Sequence, residues 1–294
     1  MPSIVCNGVS IAYEDYGDPG NPPILLIQGL GIPSSGWSPE LIDSLVSSGF
    51  RVITPDNRDV GLSEKLDYLG VPSIPVQFLR RMTFMRVNAP YQLTDMMTDM
   101  VAFLDALEIQ QAHVVGISMG SMISQLLAIH APHKLATLTL MMTTTGRRFL
   151  PGPTKAVRNH ILQGPVSYSE EDRYKYHRVT RKLLSGPKYP APEDDSDGLF
   201  RRLFDRGMTA GGTARQMLAI MAAPGRVSAL KNLRLPVQVI HGDADPLIPV
   251  QCGRETAAVI PGAVLHEISG WGHDLPAALT PRFAKLMTEH TRKA

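Results

Sequence analysis

The stretch Val114-Val115-Gly116-Ile117-Ser118-Met119-Gly120-Ser121-Met122 (VVGISMGSM) sets a serine between two glycines, after an apolar run and before a segment of helical spacing. Gly116-x-Ser118-x-Gly120 fits a strand–turn–helix junction so tight that a side chain at either glycine would meet neighbouring backbone. The serine is then held at a strained backbone angle with its hydroxyl exposed above the sheet. The helix that follows aims its first amides at the same place, which suits a developing negative charge. The bland reading is a glycine-rich turn with an incidental serine, and the pentapeptide by itself leaves that reading open.

The flanking sequence decides in favour of the junction. Ile4 to Cys6 and Val9 to Tyr13, joined by Asn7-Gly8, read as a hairpin, because Asn-Gly supplies the positive φ angles of a tight turn. Pro23–Ile27 is fully apolar, as expected of a strand covered on both faces. Further strands are expected at 51–54, 113–116, 135–142, 237–240 and 264–268. Helices are expected at 37–46, 93–107, 118–130 and 283–290. This alternation implies an α/β fold with a mostly parallel, eight-stranded sheet wrapped by helices. It stops between about Thr145 and Asn232. Helix-like pieces at 155–162, 170–184, 199–206 and 214–221 are broken there by Gly and Pro. Residues 1–145 and 232–294 therefore read as the core and 146–231 as an inserted helical cap. The Pro-rich segment 66–90 reads as a short helix leaning over a pocket.

The 294 residues suffice for one large domain with an insertion. A formal net charge of +2 gives no argument for nucleic acid or a membrane surface. The pairs Arg80-Arg81, Arg147-Arg148 and Arg201-Arg202 read as solvated helix ends. Cys6 and Cys252 are too few and too far apart for a disulfide framework or a thiolate zinc site. No signal-peptide pattern or membrane-length apolar run appears. A cytoplasmic protein without stable membrane insertion is expected.

A serine hydroxyl is a weak nucleophile without a base, so a histidine and an orienting carboxylate should follow in the order acid, then histidine, each after a later strand. The strand at 237–240 runs into Asp243-Ala244-Asp245-Pro246-Leu247-Ile248-Pro249. The strand at 264–268 runs into Ser269-Gly270-Trp271-Gly272-His273.

With these turns in place the chain resembles the serine hydrolases of the α/β-hydrolase superfamily, above all the capped esterase branch that includes aclacinomycin-type methylesterases and general carboxylesterases. The resemblance runs through LLIQGLG, PDNRDVGLS, VVGISMG, HGDADPLIP and GWGH, and is least specific in the cap. It implies Ser118 as nucleophile, His273 as base and Asp245 as the acid, with Asp243 a rival better read as a loop cap. His241 falls at a position that packs beside the acid turn. It also implies oxyanion donors in the backbone amides of Leu30 and Met119. Gln28 stands where the family usually has histidine. Asp56–Ser63 matches a turn with a structural role.

The function implied is hydrolysis of carboxylic esters with apolar small or medium acyl groups, through an acyl-enzyme and without metal or organic cofactor. Carbon–carbon bond hydrolases, cofactor-free perhydrolases or haloperoxidases, acyltransferases and a non-catalytic receptor share much of the pattern. Met82, Met85, Met119, Met122, Met141 and Met208 suggest a soft acyl pocket, although each is also readable as a core residue. The partner expected is a small-molecule ester. A homodimer is compatible with the sequence, which does not select one.

Overall fold

The computed structural model describes every residue except Met1, Tyr168, Asp195 and Asp197. The strands are β1 (Ser3–Cys6), β2 (Val9–Tyr16), β3 (Pro23–Ile27), β4 (Arg51–Pro55), β5 (Ala112–Ile117), β6 (Leu135–Met141), β7 (Val237–Gly242) and β8 (Val264–Ile268). They form one sheet in the order β1-β2-β4-β3-β5-β6-β7-β8. β1 and β2 pair antiparallel, as do β2 and β4; every later pairing is parallel. The hairpin turns at Asn7 and Gly8 with φ of 50° and 77°.

The helices of the core are α1 (Pro39–Ser47), α2 (Ile74–Met82), α3 (Leu93–Ala106) and α4 (Met119–His130). Between β6 and β7 come α5 (Lys155–Gln163), α6 (Glu170–Leu184), α7 (Leu199–Arg206), α8 (Ala210–Ala222) and α9 (Val227–Leu230). The core then resumes with α10 (Val250–Val259) and α11 (Thr280–Thr291).

The apolar strands are buried on both faces, which is why they lack a polar period. In β3, Leu25 and Ile27 pack with Met96, Phe103 and Leu127 of α3 and α4. Ile24 and Leu26 point the other way, into a cluster with Leu41 and Phe283 of α1 and α11. The strand order reverses between β3 and β5. A crevice opens at the carboxyl ends of the strands at such a switch point, and Ser118 follows β5 directly.

The structure departs from the sequence reading in two places. Helix α8 begins at Ala210 rather than 214, because the Thr209 hydroxyl accepts the Gly212 amide as an N-cap. Gly211 and Gly212 are therefore helical, and a Cβ on Gly212 would collide with the Asp59 carbonyl. The glycines that look like a break in the sequence permit a close approach between the insert and the core. The arginine pairs also divide. Arg80-Arg81 ends α2, Arg201-Arg202 lies within α7, and Arg147-Arg148 lies outside any helix.

Buried ion pairs fix the insert to the loop after β4. Arg206 of α7 donates from Nε to Asp56 at 3.0 and 2.9 Å, and Arg215 of α8 holds Asp59 through two bonds of 2.9 and 2.7 Å. Burial alone would raise the Asp59 carboxyl, but Arg215, the Leu66 amide and the Tyr91 hydroxyl outweigh it and hold it below the usual range. Asp56 also accepts the Ser34 and Leu62 amides at 2.7 and 2.9 Å. The Asp56–Ser63 turn thus has the structural role implied above. Gly212→Ala should lower stability by about 3 kcal/mol, because the new methyl meets backbone rather than a movable side chain. A denaturation midpoint that hardly moves would show that α8 and the loop do not touch.

Candidate functional site

Ser118 sits at φ 54° and ψ −115°, a backbone conformation that L-residues rarely adopt. The turn is held open by absences. A Cβ on Gly116 would strike the Gly120 backbone, and one on Gly120 would strike the carbonyls of Ile27 and Gln28. The Ser118 amide donates to Met141 O at 2.9 Å, and the Ser121 hydroxyl ties the turn to the Met141 amide and carbonyl at 3.0 and 2.9 Å. The serine is half-buried, at the foot of α4.

His273 Nε2 lies 3.0 Å from Ser118 Oγ, and its Nδ1 lies 2.7 Å from Asp245 Oδ2. The three side chains come from the ends of β5, β7 and β8. Asp245 Oδ1 accepts the amides of Leu247 and Ile248 at 2.9 and 2.8 Å. His241 Nε2 lies 3.3 Å from Asp245 Oδ2 and 2.8 Å from the Ile248 carbonyl. Burial would raise the Asp245 carboxyl, but the charge of His273 and hydrogen bonds from His241 and His273 outweigh it and leave it at about 2. Asp243 is elsewhere: its Oδ1 accepts the Gly270 amide at 2.6 Å, which ties the two loops together.

The glycines of Gly270-Trp271-Gly272-His273 have a reason the sequence does not display. The insert crosses directly over this turn. His273 N donates to Leu184 O at 2.7 Å and Lys188 N to Gly270 O at 3.1 Å. A Cβ on Gly272 would collide with Leu184 O.

Leu30 follows β3, opposite Ser118. Its neighbours are pinned on both sides: the Gly29 amide donates to Gln28 Oε1 at 3.1 Å, and the Gly31 amide to Gln216 Oε1 at 2.7 Å. Gln216 is buried on α8 and donates in turn to the Arg58 carbonyl at 2.8 Å. Asn57 Nδ2 donates to the Gln28 carbonyl at 3.0 Å. Met119 is the first residue of α4, so its amide is one of the unpaired donors of a helix start. Gln216 escaped the sequence reading because it stands 185 positions from its partner and in no motif.

The methionines do not converge on one pocket. Met119 and Met122 pack on one face of the sheet and Met141 on the other, while Met82 and Met85 are exposed. Clefts of about 560 and 500 Å³, lined by residues such as Gly146 and Asn232 or Tyr174 and Phe200, contain neither Ser118 nor His273. Among the described residues, no group of three or more His, Cys, Asp or Glu is arranged to hold a metal ion, and no helix is long and apolar enough to cross a membrane.

Residues 22–276 match the family described as the alpha/beta hydrolase fold. The chain is an α/β-hydrolase. It is 31% identical to the rhodomycin D methylesterase DauP of Streptomyces sp. (strain C5), an alignment covering 97% of this chain and 96% of that protein. It is 24% identical to 2-hydroxy-6-oxononadienedioate/2-hydroxy-6-oxononatrienedioate hydrolase 2 of Pseudomonas putida, over 90% of this chain and 85% of that one. The esterase RhEst1 of Rhodococcus sp. ECU1013 superposes with a TM-score of 0.76 at 21% identity, covering 99% of this hydrolase and 98% of that structure.

One titratable group in the hydrolase has no assigned place. Asp274, next to His273, has a buried Oδ1 without a hydrogen-bond partner among the described residues. Burial pushes its carboxyl up to about 7, against the pull of His273 and Arg181. Aspartate in the unfolded chain titrates near about 3.9. This group therefore destabilises the fold progressively as pH rises from roughly 4 to neutrality, and no further above. Asp274→Asn should melt higher than the parent above neutral pH, with the gap closing at about pH 4. A gap independent of pH would exclude Asp274 as the group that titrates.

Proposed function

We propose that the chain is a carboxylic-ester hydrolase working through Ser118, His273 and Asp245, on esters with apolar small or medium acyl groups. The observation that carries this reading is the chain of contacts from Ser118 Oγ to His273 Nε2 and from His273 Nδ1 to Asp245, at 3.0 and 2.7 Å. The methylesterase relative supports ester chemistry. In this reading Asp245 remains ionised and holds the His273 ring with Nδ1–H toward it, leaving Nε2 free to accept. His273 takes the Ser118 proton as Oγ attacks the ester carbonyl. The negative charge moves onto the carbonyl oxygen, where the Leu30 and Met119 amides receive it. The intermediate collapses, the C–O bond to the alcohol breaks, and His273 protonates the departing oxygen. Water, deprotonated by His273, then attacks the acyl-enzyme; the second intermediate releases the acid and restores Ser118.

The insert takes part through Gln216. By anchoring the Gly31 amide it fixes the peptide that follows the one presenting the Leu30 donor, so oxyanion binding and packing of α8 are one problem.

Turnover of a chromogenic ester series, acetyl to long-chain acyl, tests the proposal. Ser118→Ala should lower kcat by about 10⁶-fold and Asp245→Asn by about 10⁴-fold, with folding intact. Full activity in Ser118→Ala would refute it. Inactivity of the parent on every ester, with hydrolysis of a dienoate, would transfer the same residues to carbon–carbon bond cleavage. Gln216→Ala should reduce kcat by roughly tenfold to a hundredfold while KM stays close to the parent's, because the loss is in placement of a transition-state donor. An effect confined to KM would place Gln216 in substrate binding instead.

A further inference from the structure

Helix α2 is inverted relative to an ordinary surface helix. At 3.6 residues per turn, Val76, Phe78, Leu79 and Met82 fall on one face and Gln77 and Arg81 on the other. Gln77 is the residue turned inward, with Ile74 half-buried on the same side, while Arg81 stays exposed at the flank. Gln77 is 5% exposed and its Oε1 accepts the Asn88 amide at 2.7 Å, while Leu79 and Met82 are each 63% exposed. The apolar surface continues past the helix through Phe84 and Met85. The Arg148 guanidinium lies 4.6 Å above the Phe84 ring.

Charge is segregated here as well. Residues 68–92 contain Arg80, Arg81 and Arg86 and no Asp or Glu. With Arg148 the patch holds four cations, and among the described residues no carboxylate forms an ion pair with any of them. Arg80 and Arg81 donate to the backbone carbonyls of Arg86 and Met221 instead. The whole chain carries +2, so the rest of the molecule is net negative. The small total includes a local concentration of positive charge.

We propose that this face docks the protein on an anionic lipid surface. The outward side chains suit the boundary between headgroups and acyl chains, and the flanking arginines suit lipid phosphates. Nine helical residues reach only about 14 Å, so α2 lies in the plane of the interface rather than across it. A second copy is a poor occupant. A twofold contact would set four arginines against the same four, with no carboxylate in the patch to receive them. Docking is independent of the catalytic reading and would deliver a hydrolase to poorly soluble esters.

Cosedimentation of the full chain with lipid vesicles tests this. Binding should be strong to equimolar phosphatidylcholine–phosphatidylglycerol, weak to phosphatidylcholine alone, and should decline with added salt. Leu79→Glu with Met82→Glu should abolish it, and Arg86→Gln or Arg148→Gln should each weaken it by about fivefold. All of these variants should retain turnover of a soluble short-chain ester, which certifies folding. Ser118→Ala should bind vesicles like the parent, so failure of the hydrolase reading and failure of docking are separately visible. Equal binding to both vesicle types, or none, would overturn the proposal. A dimer in sedimentation equilibrium that Leu79→Glu with Met82→Glu dissociates would also overturn it, and assign the face to self-association.

Discussion

A Cβ on Gly120 would fall inside the carbonyls of Ile27 and Gln28, and a Cβ on Gly116 would fall inside the backbone at Gly120. This contact between the start of α4 and the ends of β3 and β5 sets the geometry of the site. Because the helix begins so close to the sheet, the chain must reverse in one residue, and Ser118 takes up a positive φ. The same closeness puts the loop after β3 beside Ser118, where a Cβ added to Gly29 would lie 3.4 Å from Ser118 Cβ. The Ser118 hydroxyl and the loop after β3 are neighbours because two glycines leave room for nothing else. The strain is held by burial: from Met119 to Ala128 every residue of α4 is buried.

Around that contact the molecule places its buried charges where the core meets the inserted helices. Asp56 and Asp59 face Arg206 and Arg215, and all four are buried. A buried ion pair adds little net stability, yet losing one partner leaves an unpaired charge and costs about 3–5 kcal/mol. Such pairs hold the insert in one position more than they add strength. That position matters because α8 carries Gln216 to the Gly31 amide and because Leu184 receives the His273 amide. The insert reaches both sides of Ser118, one anchor on the loop at Gly31 and one on the His273 turn.

Much of this was legible because it is local. An apolar run buried on both faces, Asn-Gly in a hairpin, and G-x-S-x-G between a strand and a helix each carry their own physical reason within a few residues. The turns that carry Asp245 and His273 could be singled out by their order after the serine, and both side chains meet beside Ser118. The unread parts depend on contacts between distant segments. Gln216 acts on Gly31, Arg215 on Asp59, and Leu184 on His273, and none of these leaves a periodicity or a motif. The glycines at 211 and 212 mislead for the same reason. Alone they look like a helix break, whereas the approach of Asp59 makes glycine necessary inside the helix. The outward face of α2 is invisible as well, since the Pro-rich segment reads only as a short helix leaning over a pocket, with nothing to say which face meets solvent. The methionines do not gather into one pocket, because Met119 and Met122 of α4 and Met141 of β6 lie on opposite faces of the sheet while Met82 and Met85 are exposed.

The central claim is that Ser118 is the atom donor to the acyl-enzyme, activated by His273 and Asp245. The most direct measurement is covalent labelling of the intact protein with an alkyl fluorophosphonate, followed by mass spectrometry of its peptides. One adduct per chain is expected, on Ser118, formed in step with loss of ester turnover and strongly slowed in His273→Ala. Persistent ester turnover with no adduct on Ser118, or inactivation through an adduct elsewhere, would contradict it.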